Sequence, residues 1–178
     1  MKAKEVRYTP RNLKDILIEM KDISELMVDL AYSAMIYDDE DIAEEVLYLE
    51  EKMNILDYQM KIAAMLSARR IEEAEEMSGV LQVADSSESI ANAAGDIAKI
   101  VLRDMGIPLE LKYALREAEE TVVRATVSKE SEMVDKSLGE LELDTETGMT
   151  IIAIRRNHNW IYDPNENTSI KSGDVLFA

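Results

Sequence analysis

The sequence predicts an α+β chain: an antiparallel bundle of long helices over about residues 10–120, then a small α/β domain over 121–178. Three observations carry this reading. From Leu13 to Leu102 apolar residues recur at spacings of three and four, the repeat of helices that bury a face. From Thr121 the apolar period drops to two, as in a strand. Between the two regimes, Gly106-Ile107-Pro108 sets a residue free to take positive φ beside one that cannot continue a helix.

The first helix is expected to begin near Pro10, because a first-turn proline lacks only an N–H that has no partner there. Its seam is Leu13, Ile16, Met20, Ile23, Met27, Leu30 and Ala34. Tyr37-Asp38-Asp39-Glu40-Asp41 breaks the pattern, and its short acidic side chains suit the N-terminus of a second helix. That helix carries Ile42, Val46, Leu49, Met53, Leu56, Met60 and Ala63, and runs to about Ser67. A third helix, about Arg70 to Met105, has two seams: Met77, Leu81, Ala84, Ala91, Ala98 and Leu102 on one, Val80, Val83, Ile90, Ala94, Ile97 and Val101 on the other. A helix apolar on two faces is covered from two sides, either by its own neighbours or by a second subunit. The small residues Ala91, Ala94, Gly95 and Ala98 fit the close approach of a partner helix, so this is the expected dimer seam. A shorter helix follows from Leu109 to Glu120.

In the second domain Val123, Ala125 and Val127 alternate with Arg124 and Thr126, and Met149 to Ile154 is rich in β-branched residues. Asn157-His158-Asn159 reads as a hairpin turn from the strand ending near Arg156 into a shorter one at Trp160 to Tyr162. Ser172-Gly173-Asp174 turns the chain into a last strand, Val175-Leu176-Phe177. The sequence stops within that strand, and the domain is expected to be truncated there.

Composition narrows the function. A formal charge of −17 disfavours nucleic acid and anionic lipid, and favours cationic partners or metal ions. Cysteine is absent, which removes thiolate ligands and disulfides. No stretch has the length and apolarity of a membrane span or a signal peptide, so a cytoplasmic protein without direct membrane insertion is expected. There is no Gly-rich phosphate loop, no cysteine nucleophile and no Gly-x-Ser-x-Gly elbow, and the chain does not read as an enzyme.

Two groups of residues could bind something. Glu50, Asn54 and Asp57 form a polar stripe on the second helix, and Asp85, Asn92 and Asp96 another on the third; facing each other, they could chelate a hard cation or simply be solvated. Glu88 falls on a seam of the third helix, where a charge must be paired or metal-bound if buried. The metal candidates are therefore Glu50, Asp57, Asp85 and Glu88. In the second domain Arg155 and Arg156 offer fork-shaped donors for phosphate, or ion-pair partners for the acidic helices, and strand geometry aims only one at a given site. His158, alone in a polar turn, reads as turn filler, and Trp160 as a packing anchor.

The run Glu88-Ser89-Ile90-Ala91-Asn92-Ala93 resembles the Glu-Arg-Ile-Gly-Asp-hydrophobic metal-cluster motif of PhoU domains, and the helical part resembles one half of such a domain over Leu13 to Glu120. Here Ser89, Ala91 and Asn92 replace the Arg, Gly and acidic ligand, which weakens the case for a multinuclear cluster. The family normally has two halves, which implies a homodimer. Ser137-Leu138-Gly139-Glu140-Leu141, Ile151 to Arg156, Pro164 with Thr168-Ser169-Ile170, and Gly173-Asp174-Val175-Leu176 together resemble the TrkA-C domain of potassium-conductance regulators. That resemblance implies a dimerising α/β unit that takes a cyclic dinucleotide or another anionic ligand between subunits, with Ile151, Arg155, Arg156, Asn157 and Pro164 as its ligand-binding positions. No Rossmann module precedes this domain in the sequence, so NAD or ATP control is not expected. The implied function is a cytosolic regulatory subunit of potassium or other monovalent-cation transport, acting on a membrane channel or transporter through protein contact. A metal-binding phosphate-signalling regulator and a purely structural dimeric adaptor are the alternatives.

Overall fold

The computed structural model describes residues 10–118, 122–157 and 159–178. It divides into two compact units, Met1–Thr121 and Val122–Ala178. Four helices make up the first: α1 (Leu13–Tyr37), α2 (Glu40–Ser67), α3 (Ile71–Leu102) and α4 (Leu109–Ala118). Helix α1 starts later than the Pro10 expectation, because Asn12 caps it, its side-chain oxygen accepting from the Lys14 N–H at 2.9 Å. Asp39 caps α2 as expected, accepting from the Ile42 N–H at 3.0 Å, after Asp38 has turned the chain in a left-handed conformation. Helix α3 ends at Leu102, short of Met105. Asp104 (φ 50) and Gly106 (φ 56) both leave helical geometry there. Residues 119–121 lie outside the described residues, and with them the expected end of α4.

The α1 and α2 seams are the core. Ile16, Met20, Ile23, Met27, Leu30 and Ala34 of α1 are fully buried, and all seven seam residues of α2 are buried with them. Each large apolar side chain so removed from water contributes about 1.5–3 kcal/mol. Helix α3 covers both helices with its first seam, where Ala84, Ala91 and Ala98 are buried. Ala94 and Gly95 are also buried within the unit, and a Cβ on Gly95 would lie 2.8 Å from the Glu50 carboxylate. The small residues thus serve close approach inside the chain, which corrects their reading as a dimer seam. What α3 leaves uncovered is part of the other seam: Val83 is 54% exposed and Ile90 47%.

Ion pairs tie the bundle laterally. Glu19 of α1 takes Lys52 of α2 at 2.6 Å and Arg11 at 2.7 Å. Lys112 of α4 pairs with Asp38, and the Arg116 guanidinium stands 5.7 Å over the Tyr37 ring.

In the second unit, β1 (Arg124–Thr126), β2 (Ala153–Arg156), β3 (Asn159–Tyr162) and β4 (Val175–Phe177) form an antiparallel sheet in the order β1-β4-β2-β3. The expected hairpin is present, Arg156 facing Asn159 with Asn157 at φ 56; His158 lies outside the described residues. Gly173, at φ 84, makes the turn into β4. Two short helices, α5 (Leu138–Leu141) and α6 (Leu143–Thr147), lie between β1 and β2. Val127, Ile154, Ile170 and Leu176 are the core on one side, packed by Val134, Leu138, Ile151 and Ile161.

Two outcomes test this account. Met27→Ala will cost the helical unit about 2–5 kcal/mol in chemical denaturation, through lost transfer energy and the cavity left behind. Burial pushes the Glu19 carboxyl pKa up, but Lys52 and then Arg11 outweigh it, so the folded pKa is below the ordinary carboxylate value. A depressed folded pKa stabilises above the unfolded pKa and is lost as pH falls through the folded one. Glu19→Gln will therefore flatten the acid limb of the thermal-stability profile below about pH 4.3, the unperturbed glutamate value.

Candidate ligand pocket and carboxylate cluster

The pocket of the second unit is built on the segment Ser137 to Leu141. Ser137 caps α5: its hydroxyl accepts from the Glu140 N–H at 3.3 Å, while the Glu140 carboxylate accepts from the Ser137 N–H at 2.8 Å. This reciprocal box holds the Glu140 carboxyl below its usual range, first through the Ser137 backbone N–H and then through its hydroxyl. The α5 backbone is pinned to the loop before β4, the Leu138 N–H donating to the Thr168 carbonyl at 3.0 Å and the Gly139 N–H to the Glu166 carbonyl at 2.8 Å. A Cβ on Gly139 would lie 3.1 Å from that Glu166 oxygen, so the approach is tight for any larger residue.

Between these turns and the loop lies a cavity of about 330 Å³. Leu138, Leu143, Met149, Ile151 and Pro164 give it apolar walls, and Glu142, Asp144 and Glu166 an acidic rim. Among the described residues, no lysine or arginine lines it. Its size and apolar walls suit a small organic ligand, and the rim opposes an anionic group placed against it.

Of the five sequence-derived ligand positions, Ile151 and Pro164 line this cavity, while Arg155, Arg156 and Asn157 do not. Arg156 instead grips Asp174 with two donors, Nε to Oδ1 at 2.9 Å and Nη2 to Oδ2 at 2.8 Å, and Nη2 also donates to the Ser169 carbonyl at 2.6 Å. Asp174 is 1% exposed and also accepts the Lys171 N–H at 2.7 Å. The hydrogen bond to Asp174, opposed by burial, raises the Arg156 pKa further. Arg156 is thus an ion-pair partner, within its own unit. Arg155 points to the opposite face of β2. Its Nη1 donates to the Asn157 carbonyl at 3.3 Å, and across the hairpin it faces Trp160. Trp160 stacks on Phe177 at 5.0 Å and Tyr162 at 5.9 Å between centroids, the packing role expected of it.

In the helical unit Asp57, Asp85 and Glu88 come together, one carboxylate oxygen of each lying within 4.8 Å of the others. Lys61, one turn beyond Asp57, bridges two of them, Nζ standing 2.8 Å from Asp57 and 3.2 Å from Asp85. The Asp57 hydrogen bond, working against burial and helped by Asp85, raises the Lys61 pKa, so the amine is charged at neutral pH. Glu88 is half-buried, not sealed in the core. Glu50 does not join the cluster. It takes Lys99 of α3 at 3.1 Å, which also holds Asp96 at 3.1 Å.

Residues 17–101 match the PhoU domain model, and residues 122–178 the TrkA-C domain model. The chain joins a PhoU domain to a TrkA-C domain. It is 34% identical over 70 residues to a probable potassium channel protein 2 of Methanocaldococcus jannaschii, a match covering 38% of this chain and 20% of that protein's length. Among solved structures, the RCK_C domain dimer of S. agalactiae BusR in complex with c-di-AMP is 38% identical, covering 32% of this chain and 74% of that one, at a TM-score of 0.30. The RCK C domain of the potassium transport protein KtrA in complex with cyclic diadenosine monophosphate is 29% identical, covering 38% and 78%, at a TM-score of 0.32. S. agalactiae BusR in complex with its busAB-promotor DNA is 20% identical, covering 82% and 89%, at a TM-score of 0.30.

The metal cluster implied by the PhoU resemblance does not fit the helical unit as it stands. Two of the three gathered carboxylates are bound to the Lys61 ammonium, Glu50 is bound to Lys99, and Asn92 replaces an acid. Asp174 and the two lysines are the residues that sequence reasoning missed. Asp57 with Lys61, at i and i+4, and Asp96 with Lys99, at i and i+3, were visible as helix-surface pairs. Asp174 gave no such sign, since its partner lies 18 residues away.

Asp174→Ala will destabilise the TrkA-C domain by about 2–3 kcal/mol, below the usual range for a broken buried pair because the Arg156 side chain keeps a third of its surface in water. Urea denaturation followed by Trp160 fluorescence will read the loss, and Asp174→Asn, which keeps an acceptor for the Lys171 N–H, will cost less.

Proposed function

We propose that the chain is a regulatory subunit of potassium or other monovalent-cation transport, in which the TrkA-C domain takes a small ligand and the PhoU domain dimerises. The observation that carries this reading is the cavity of the TrkA-C domain, walled by Ile151 and Pro164 and framed by the capped Ser137 to Leu141 segment. The matching potassium channel protein and the KtrA domain point to the transport system such a sensor serves. The dimer would use the uncovered part of that α3 seam, around Val83 and Ile90. Ligand binding then shifts the arrangement of two subunits by no more than its difference in affinity for the two states. The acidic rim of the cavity constrains an anionic ligand: its phosphates must turn away from Glu142, Asp144 and Glu166, toward a cation such as Arg155 or one supplied by the second subunit.

Cyclic di-AMP, ATP, potassium chloride and spermidine are the first probes in a thermal-melting screen, with light scattering for mass. The expected mass is twice the 20.1 kDa of one chain, falling to one in Val83→Asp/Ile90→Asp. A ligand at 100 times its Kd stabilises by about 2.7 kcal/mol, and Ile151→Ala should remove most of that shift while leaving a folded domain. A dimer that none of the probes stabilises would favour the structural adaptor instead.

A further inference from the structure

We propose that Lys61 is the resident cation of the Asp57, Asp85 and Glu88 cluster, and that a divalent ion binds among these carboxylates only when the ammonium is removed. Three carboxylates from two helices converge within 4.8 Å, a concentration of negative charge that needs a cation to hold α2 against α3. In this chain the cation is covalently attached. Lys61 rises from α2 one turn beyond Asp57 and reaches across to Asp85 on α3, so its Nζ occupies space between the facing oxygens.

A single ammonium neutralises only part of this set. Asp57 is 9% exposed, and its Oδ1 is buried with no hydrogen-bond partner among the described residues, so the cluster retains an oxygen that the ammonium does not serve. Glu88 is a third carboxylate that Lys61 does not reach within ion-pair distance among the contacts described. Hard divalent ions take oxygen ligands of this kind and fill their remaining positions with water. The Lys61 side chain is 44% exposed, so the amine can leave without unpacking the helices. The neighbouring Glu50, Lys99 and Asp96 repeat the device two turns away along α2, with the lysine supplied by α3. Tethered lysines therefore take the place of the metal that the PhoU resemblance implies.

The test is calorimetric titration of manganese(II) chloride into the full chain, with thermal melting as a second readout. The wild-type chain is expected to show no saturable binding below millimolar ion and no metal-dependent rise in melting temperature. Lys61→Met should gain one saturable site with a Kd at least tenfold tighter than wild type, and Lys61→Met/Glu88→Gln should lose it. Lys61→Gln serves as the second variant if the methionine disturbs folding, which circular dichroism checks. A folded Lys61 variant that gains no site would overturn the proposal. So would a wild-type chain that binds manganese stoichiometrically and loses it on Glu88→Gln, because the ammonium would then not exclude the ion.

Discussion

Every contact between elements in this chain works under an excess of negative charge, 37 acidic residues against 20 basic ones. Helices with so many carboxylates approach most readily where interfacial acids meet an ammonium or a guanidinium. Glu19 meets Lys52 and Arg11 between α1 and α2, Glu50 meets Lys99 between α2 and α3, and Asp57 and Asp85 share Lys61. Asp38 meets Lys112 where α4 returns to the end of α1. Exposed pairs of this kind contribute little singly, on the order of 0–1 kcal/mol. Their role is to remove repulsion that would oppose the burial of the apolar seams, which supplies the bulk of the stabilisation.

Those seams were legible in the sequence because helical period and burial are one geometric fact. Ile16, Met20, Ile23, Met27 and Leu30 lie on one face of α1 through their spacing alone, and that face is buried. Helix ends were less legible, since they are set by single side chains: Asn12, not Pro10, begins α1. The small residues of α3 show a different limit. Ala91, Ala94, Gly95 and Ala98 announce close approach, but spacing does not say whose backbone approaches. The neighbours are α1 and α2 of the same chain, with the Glu50 carboxylate against Gly95.

The candidate site was partly legible for a different reason. Ile151 and Pro164, which wall the cavity, and the Ser137 to Leu141 segment, which frames it, were named through the TrkA-C resemblance and not through spacing. Arg156 shows what such a resemblance misses. Its donors suit phosphate, yet chain topology brings the β2 end beside the turn at Gly173, where Asp174 claims both prongs of the fork. The acidic rim was likewise hidden, because Glu166 comes from a different segment from Glu142 and Asp144 and meets them only when α5 and the loop before β4 are joined by backbone hydrogen bonds.

The most buried of these pairs and those between α2 and α3 are built by different means. In the TrkA-C domain a guanidinium holds Asp174 through two parallel hydrogen bonds, a fixed geometry that no spherical ion reproduces. Between α2 and α3 the counter-charges are ammonium groups on flexible stems, compact point charges with no such fork. The Asp174 pair is therefore shielded from changes in ionic conditions, while the lysine pairs between α2 and α3 are more open to them. Screening by salt acts in the same direction, weakening half-exposed lysine pairs well before it reaches a carboxylate that is 1% exposed.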